Sequence, residues 1–92
     1  MNYDVTSAII RIEKMERIFD VIRSFAKADP EAVLSHPHLK EMLDTLTQYY
    51  SGGQWLKDYE ADEKGLFPHN LKRGVLSQDG LHNLLEELHV KS

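Results

Sequence analysis

Apolar residues recur along this chain at three- and four-residue spacing, the period of helices that bury one side. Ile10, Ile12, Met15, Ile18, Phe19, Val21, Ile22, Phe25 and Ala26 mark a first helix, starting near Asp4 or Thr6 and running to about Lys27. Its polar face collects Glu13, Glu16, Arg17, Asp20, Arg23 and Lys27. Glu13 and Arg17 stand four apart, in the favourable order for an exposed ion pair. The apolar positions cover an arc of about 200°, about twice what a surface helix needs. Either two partner helices flank this one within the domain, or part of the arc faces another subunit. Ile10, Ile18, Val21 and Phe25 are the candidates for that outer face. Arg11 projects into the arc, where it has to snorkel to water or find a carboxylate.

A break follows. Asp29-Pro30-Glu31 supplies an N-cap, a proline at the first helical position and an acid in the first turn, which opens a short helix through Leu34. Ser35-His36-Pro37 repeats the start signal, because the residue before proline is biased away from helix. The next helix runs from Pro37 to Tyr50, with Leu39, Met42, Leu43, Leu46, Tyr49 and Tyr50 on one side. Gly53 to Lys64 forms the third main helix and Gly65 stops it. Leu66 to Arg73 is a loop or single turn holding Pro68 and Asn70. The last helix, Gln78 to about Val90, puts Leu81, Leu84, Leu85 and Leu88 on a narrow face. No strand pattern is present. The expected fold is all-α: one domain over residues 1–92, a small bundle of four principal helices with a short extra helical turn near 30–34.

The stretch from Tyr49 to Asp79 concentrates the unusual residues: the single Trp, three of the four Tyr, an acidic cluster, Lys72-Arg73 and four of the five Gly. Helix ends explain much of it. Ser51 followed by Gln54 fits a capping box, with Tyr50 and Trp55 placed as a hydrophobic staple. Gly52-Gly53 allows the preceding helix to end in a left-handed turn. Ser77, with Leu76 and Leu81 around it, repeats the arrangement. These are the marks of sharp corners between helices, and they require no catalysis.

The same residues resemble a known family. Tyr49-Tyr50, Trp55, Asp58-Tyr59, Asp62-Glu63, then Leu71 through Ser77 and Asp79 follow the pattern of a family of small proteins, bacterial and mostly Gram-positive, known only as a domain of unknown function. The Arg11–Glu16 run resembles the family's first helix, so the likeness spans most of the chain. Ser35-His36-Pro37-His38 lies outside the pattern. The resemblance implies a small helical protein and no assigned activity.

Composition removes several classes of function. Ninety-two residues fit one domain with a small core, for which oligomerisation is a common source of stability. A net charge of −4, with basic residues scattered, argues against nucleic-acid binding. The lack of cysteine excludes disulfides, thiolate metal sites and thiol nucleophiles. There is no signal-peptide pattern and no apolar run of the eighteen residues a membrane span requires, so a cytoplasmic location is expected. No motif implies a cofactor.

Two constellations invite chemistry. Trp55, Asp58, Tyr59 and Asp62 share a helical face by spacing, with Glu63 beside them and Lys72 and Arg73 in the following loop. Two carboxylates four apart can bind a cation or an amine, or work as an acid–base pair in a dry site. They can equally stay solvated while the aromatics pack, or receive Lys72 or Arg73 folding back from the loop. The histidines are weaker. His36 and His38 bracket a helix start, and His82, Glu86 and His89 share an outer face, but neither group has enough companion ligands, so surface histidines are expected and no metal. No phosphate loop and no activated serine is recognisable, which leans away from an enzyme. The favoured function is an interaction or adaptor module that binds an unidentified protein partner or itself through an apolar helical face. The alternative is a small-molecule or cation-binding protein using the acidic–aromatic helix and the Lys72-Arg73 loop.

Overall fold

The computed structural model describes residues 3–77 and 79–88. Five helices follow one another: α1 (Val5–Ala28), α2 (Pro30–Ser35), α3 (Pro37–Ser51), α4 (Gln54–Glu63) and α5 (Gly80–Glu87), with a 3₁₀ turn at Gly74–Leu76 before the last. Four are principal helices and α2 is the short extra turn, so the all-α expectation holds. The 3₁₀ turn lies just past the expected loop and was not anticipated. The expected start of the last helix at Gln78 and its end near Val90 lie outside the described residues.

Each boundary has a local cause. Asp4 caps α1, accepting the amides of Thr6 at 3.1 Å and Ser7 at 3.3 Å. Asp29 ends α1 and accepts the Glu31 amide, so α2 starts directly behind its own Pro30. His36 interrupts the chain rather than kinking it. Its backbone is extended, φ −82° and ψ 119°, and its ring Nδ1 accepts the His38 amide to cap α3. Gly65 closes α4 with φ +76°. Its amide reaches the Asp62 carbonyl while the Leu66 amide reaches Ala61, the paired bonds of a Schellman ending.

The corner between α3 and α4 differs from expectation. α3 continues through Ser51, so the Ser51 hydroxyl donates back to the Thr47 carbonyl at 2.7 Å and caps nothing. A serine inside its own helix satisfies that carbonyl instead. Gly53, at φ +89°, takes the capping position of α4, and the Gln54 side chain turns to Asp58. The staple contact survives, with the Tyr50 and Trp55 rings 5.1 Å apart. At the second corner the Ser77 hydroxyl accepts the Gly80 amide at 3.0 Å, between buried Leu76 and Leu81.

One core unites the helices. α1 lays Ala8, Ile12, Met15, Phe19, Ile22 and Ala26 into it. α3 contributes Leu39, Leu43, Leu46 and Tyr49, and α5 contributes Leu81, Leu84 and Leu85. α1 packs against α2, α3 and the 3₁₀ turn, α3 against α4, and the turn against α4 and α5. Two expectations for α1 are corrected. Glu16 is buried, because it lies between Ile12 and Phe19 on the core side rather than on the polar face. Glu13 and Arg17 do not close into an ion pair; Arg23 pairs with Asp20 at 3.1 Å on that surface instead.

The left-handed backbone at Gly53 generates a prediction. A Cβ there meets no neighbour, so Gly53→Ala costs only backbone strain, about 1–2 kcal/mol. Urea unfolding measures it; an unchanged midpoint contradicts the left-handed corner.

Candidate functional site

Asp58 gathers the polar groups of the fold. Its side chain is 0% exposed, so of the readings open for this face the solvated one does not hold for Asp58. Arg11 grips it with two bonds, Nη2 to Oδ1 at 2.6 Å and Nε to Oδ2 at 2.9 Å. The Tyr3 hydroxyl donates to Oδ1 at 2.6 Å and the Tyr49 hydroxyl to Oδ2 at 2.7 Å. Gln54 adds a longer bond at 3.3 Å. Arg11 thus finds the carboxylate its place in the apolar arc demanded. One side chain of α4 ties down the lead-in to α1, α1 itself and α3.

The electrostatics follow from this geometry. Burial alone raises the Asp58 carboxyl, but hydrogen bonds from Arg11, Tyr3 and Tyr49, with the Arg11 charge, outweigh it and hold the group below the usual range. The hydrogen bond to Asp58 raises Arg11 further. Burial, then the bond to Asp58 and its charge, push both Tyr3 and Tyr49 well up. All three hydroxyl and guanidinium groups are therefore fixed donors.

A second clamp holds the 3₁₀ turn. The Trp55 indole N–H donates to the Val75 carbonyl at 2.8 Å, and the Val75 amide donates to Glu16 Oε1 at 2.7 Å. Val75 is pinned between α4 and α1. A Cβ on Gly74 would fall 3.0 Å from Glu16 Oε2, so glycine permits this approach.

The remaining residues of the candidate surface divide. Arg73 folds back onto α4, with Nε 3.0 Å from Asp62 Oδ1 and Nη2 2.9 Å from the Pro68 carbonyl. Tyr59 stacks on Trp55 at 5.1 Å and is half-buried. Glu63 and Lys72 are exposed. Two grooves flank α1. One, of about 500 Å³, runs between the start of α1 and α4 and is lined by Tyr3, Ser7, Arg11, Gln54, Lys57 and Lys64 among others. The other, of about 370 Å³, lies between α1 and the 68–72 segment. Among the described residues no group of three or more His, Asp or Glu is placed to hold a metal. His82 stands 3.5 Å from Glu86, and His89 lies outside the described residues.

Spacing placed Trp55, Asp58 and Asp62 correctly on one helix but could not reveal their partners. Tyr3 and Tyr49 lie 55 and 9 residues from Asp58, and neither carries a local pattern that points there. Glu16 did carry a signal: a carboxylate three and four residues from buried apolar positions shares their face.

The fold and its polar anchor define a small helical domain in which one buried carboxylate is saturated by internal donors. The family model of a domain of unknown function, DUF4298, matches residues 12–91, and the chain belongs to that family. No curated protein and no solved structure matches it.

Two outcomes are expected here. Arg11→Ala leaves Asp58 buried and under-partnered, and destabilises the domain by about 3–5 kcal/mol; chemical denaturation of Arg11→Ala, Asp58→Asn and the double variant shows strong coupling between the positions. The raised tyrosines add stability that is complete below their unfolded pKa of about 10 and is lost as pH rises above it. Melting temperature therefore falls more steeply above pH ~10 in the natural protein than in Tyr3→Phe/Tyr49→Phe. Parallel alkaline limbs contradict this.

Proposed function

We propose that this is a small cytoplasmic bacterial interaction module, which binds a protein partner or a second copy of itself through the outer side of α1. One observation carries the reading. Ile10 is 64% exposed, Phe25 46% and Val21 37%, and Ile18 is half-buried. At 100° per residue the four fall within about 80° of one another. The stripe adjoins the core-facing side of the helix, and Ile18 at its inner edge packs against the core. Clustered apolar exposure of this kind marks contact surfaces more often than scattered single residues do. No described helix is long and apolar enough to cross a membrane, so a bilayer-spanning role does not account for it.

The cation- or small-molecule-binding alternative on α4 draws less support. Asp58 already holds Arg11, and Asp62 already holds Arg73. Neither carboxylate is left with its charge uncompensated.

The test combines self-association with contact in the cell. Sedimentation velocity over a wide concentration range reports a dimer, and a photo-crosslinking side chain at Val21 reports a partner in the source cell, with the same probe at Lys57 as control. The expected result is concentration-dependent sedimentation, or a discrete adduct from position 21 only. Val21→Asp/Phe25→Asp then abolishes it with the melting temperature within a few degrees of the natural protein. A monomer at every concentration, with equal crosslinking from both positions, overturns the proposal.

A further inference from the structure

Lys14 stands in the middle of the outer stripe of α1. At about 100° per residue it falls between Val21 and Phe25 around the helix. Lys14, Ile18, Val21 and Phe25 follow one another at spacings of four, three and four, the seam along which one helix packs on another. Lys14 is exposed and forms no ion pair among the described residues. Its own helix offers it no carboxylate: the positions three and four residues away hold Ile10, Arg11, Arg17 and Ile18. Arg17, on the border of the stripe, differs, with Glu13 four residues before it and Asp20 three after. The seam is therefore apolar with a lone ammonium at its centre, on a chain whose net charge is −4.

That charge restricts what can cover the stripe. A helix laid along the seam takes Lys14 out of water, which is unfavourable unless a carboxylate meets it. A second copy of the chain does not supply one. In a parallel pair the ammonium faces its own counterpart. In an antiparallel pair centred midway between Ile10 and Phe25 it falls opposite the Val21 position. The helical neighbours of Val21 are Arg17, Ile18, Ser24 and Phe25, again without a carboxylate. A single lysine in a helix seam selects among partners and fixes register at some cost in stability. A planar anionic lipid surface fits less well, because it meets exposed Glu13 beside the stripe along with Lys14.

We propose that the outer stripe of α1 docks an amphipathic helix of a different protein, whose apolar seam carries one Asp or Glu placed to meet Lys14. Resting on the stripe as a contact surface, this gives Lys14 the choice of partner: it accepts an acidic helix and turns away a second copy of the chain.

Fluorescence anisotropy tests this with two synthetic helical peptides, each three heptads long with leucine along the seam. One carries glutamate at the central seam position, and its twin carries lysine there. The natural protein is expected to bind the glutamate peptide at least about tenfold more tightly. Lys14→Glu reverses the preference and Lys14→Met abolishes it, each with the melting temperature within a few degrees of the natural protein because Lys14 is exposed. Val21→Asp/Phe25→Asp binds neither peptide. Equal affinity for the two peptides, no measurable binding of either, or a preference unchanged in Lys14→Glu overturns the proposal. Displacement of the glutamate peptide by phosphatidylserine vesicles assigns the stripe to a lipid surface and overturns it too. Two further results overturn it while the stripe stands as a contact surface. One is a dimer of the natural protein that Val21→Asp/Phe25→Asp dissolves. The other is a cross-linked adduct from position 21 in the source cell that keeps its full yield in Lys14→Glu.

Discussion

The bond that the rest of this structure depends on joins Arg11 of α1 to Asp58 of α4. A carboxylate with no solvent exposure is tolerable only when its charge is matched and its lone pairs are filled. Arg11 supplies the charge and two bonds, and Tyr3 and Tyr49 supply two more. Because these donors come from three different parts of the chain, the aspartate is satisfied only when the helices are in their native places. Apolar packing favours compaction without fixing one arrangement, whereas a buried charge penalises every arrangement that leaves it unpaired. In a chain of 92 residues, with a modest core, that penalty is a large share of total stability.

The clamp on Val75 works in the same way, from Trp55 one turn before Asp58 on α4. Trp55 holds the carbonyl and Glu16 holds the amide, so a turn of three residues bridges α1 and α4. Arg73 adds the approach to that turn by binding Asp62 and the Pro68 carbonyl. The segment from Leu66 to Leu76 has little regular structure of its own, and its order comes from side chains of the two helices it crosses. The Asp58 cluster includes a matched cation, whereas the Val75 clamp is built from hydrogen bonds alone.

Much of the fold was legible because helix periodicity and caps are local. Asp4, Asp29-Pro30 and Gly65 mark their helix ends in the sequence and do so in the structure. The misread corner at Ser51 shows the limit. Ser51 fits a cap by spacing, but α3 runs one residue further and takes it inside the helix, and Gly53 occupies the capping position. The site was legible only in part. Arg11 announced an unmet need for a carboxylate, and Arg73 was close enough in sequence to Asp62 for a short loop to bring them together. The identity of Asp58 as the common acceptor depends on contacts across 47 and 55 residues, which periodicity does not encode. Glu16 was hidden by its type: a charged residue on a helix reads as solvent-facing unless its neighbours' burial is weighed first.

The central claim is that Asp58 is a buried, fully ionised carboxylate locked to Arg11. Carbon-detected NMR titration of the Asp58 carboxyl, with exchange of the Arg11 Nε proton followed in the same samples, tests it most directly. The account predicts that Asp58 titrates below the ordinary carboxylate value of about 4, with the Arg11 proton protected from solvent until the domain unfolds in acid. Titration at or above that value, with the Arg11 proton exchanging as freely as in an unfolded chain, would contradict it.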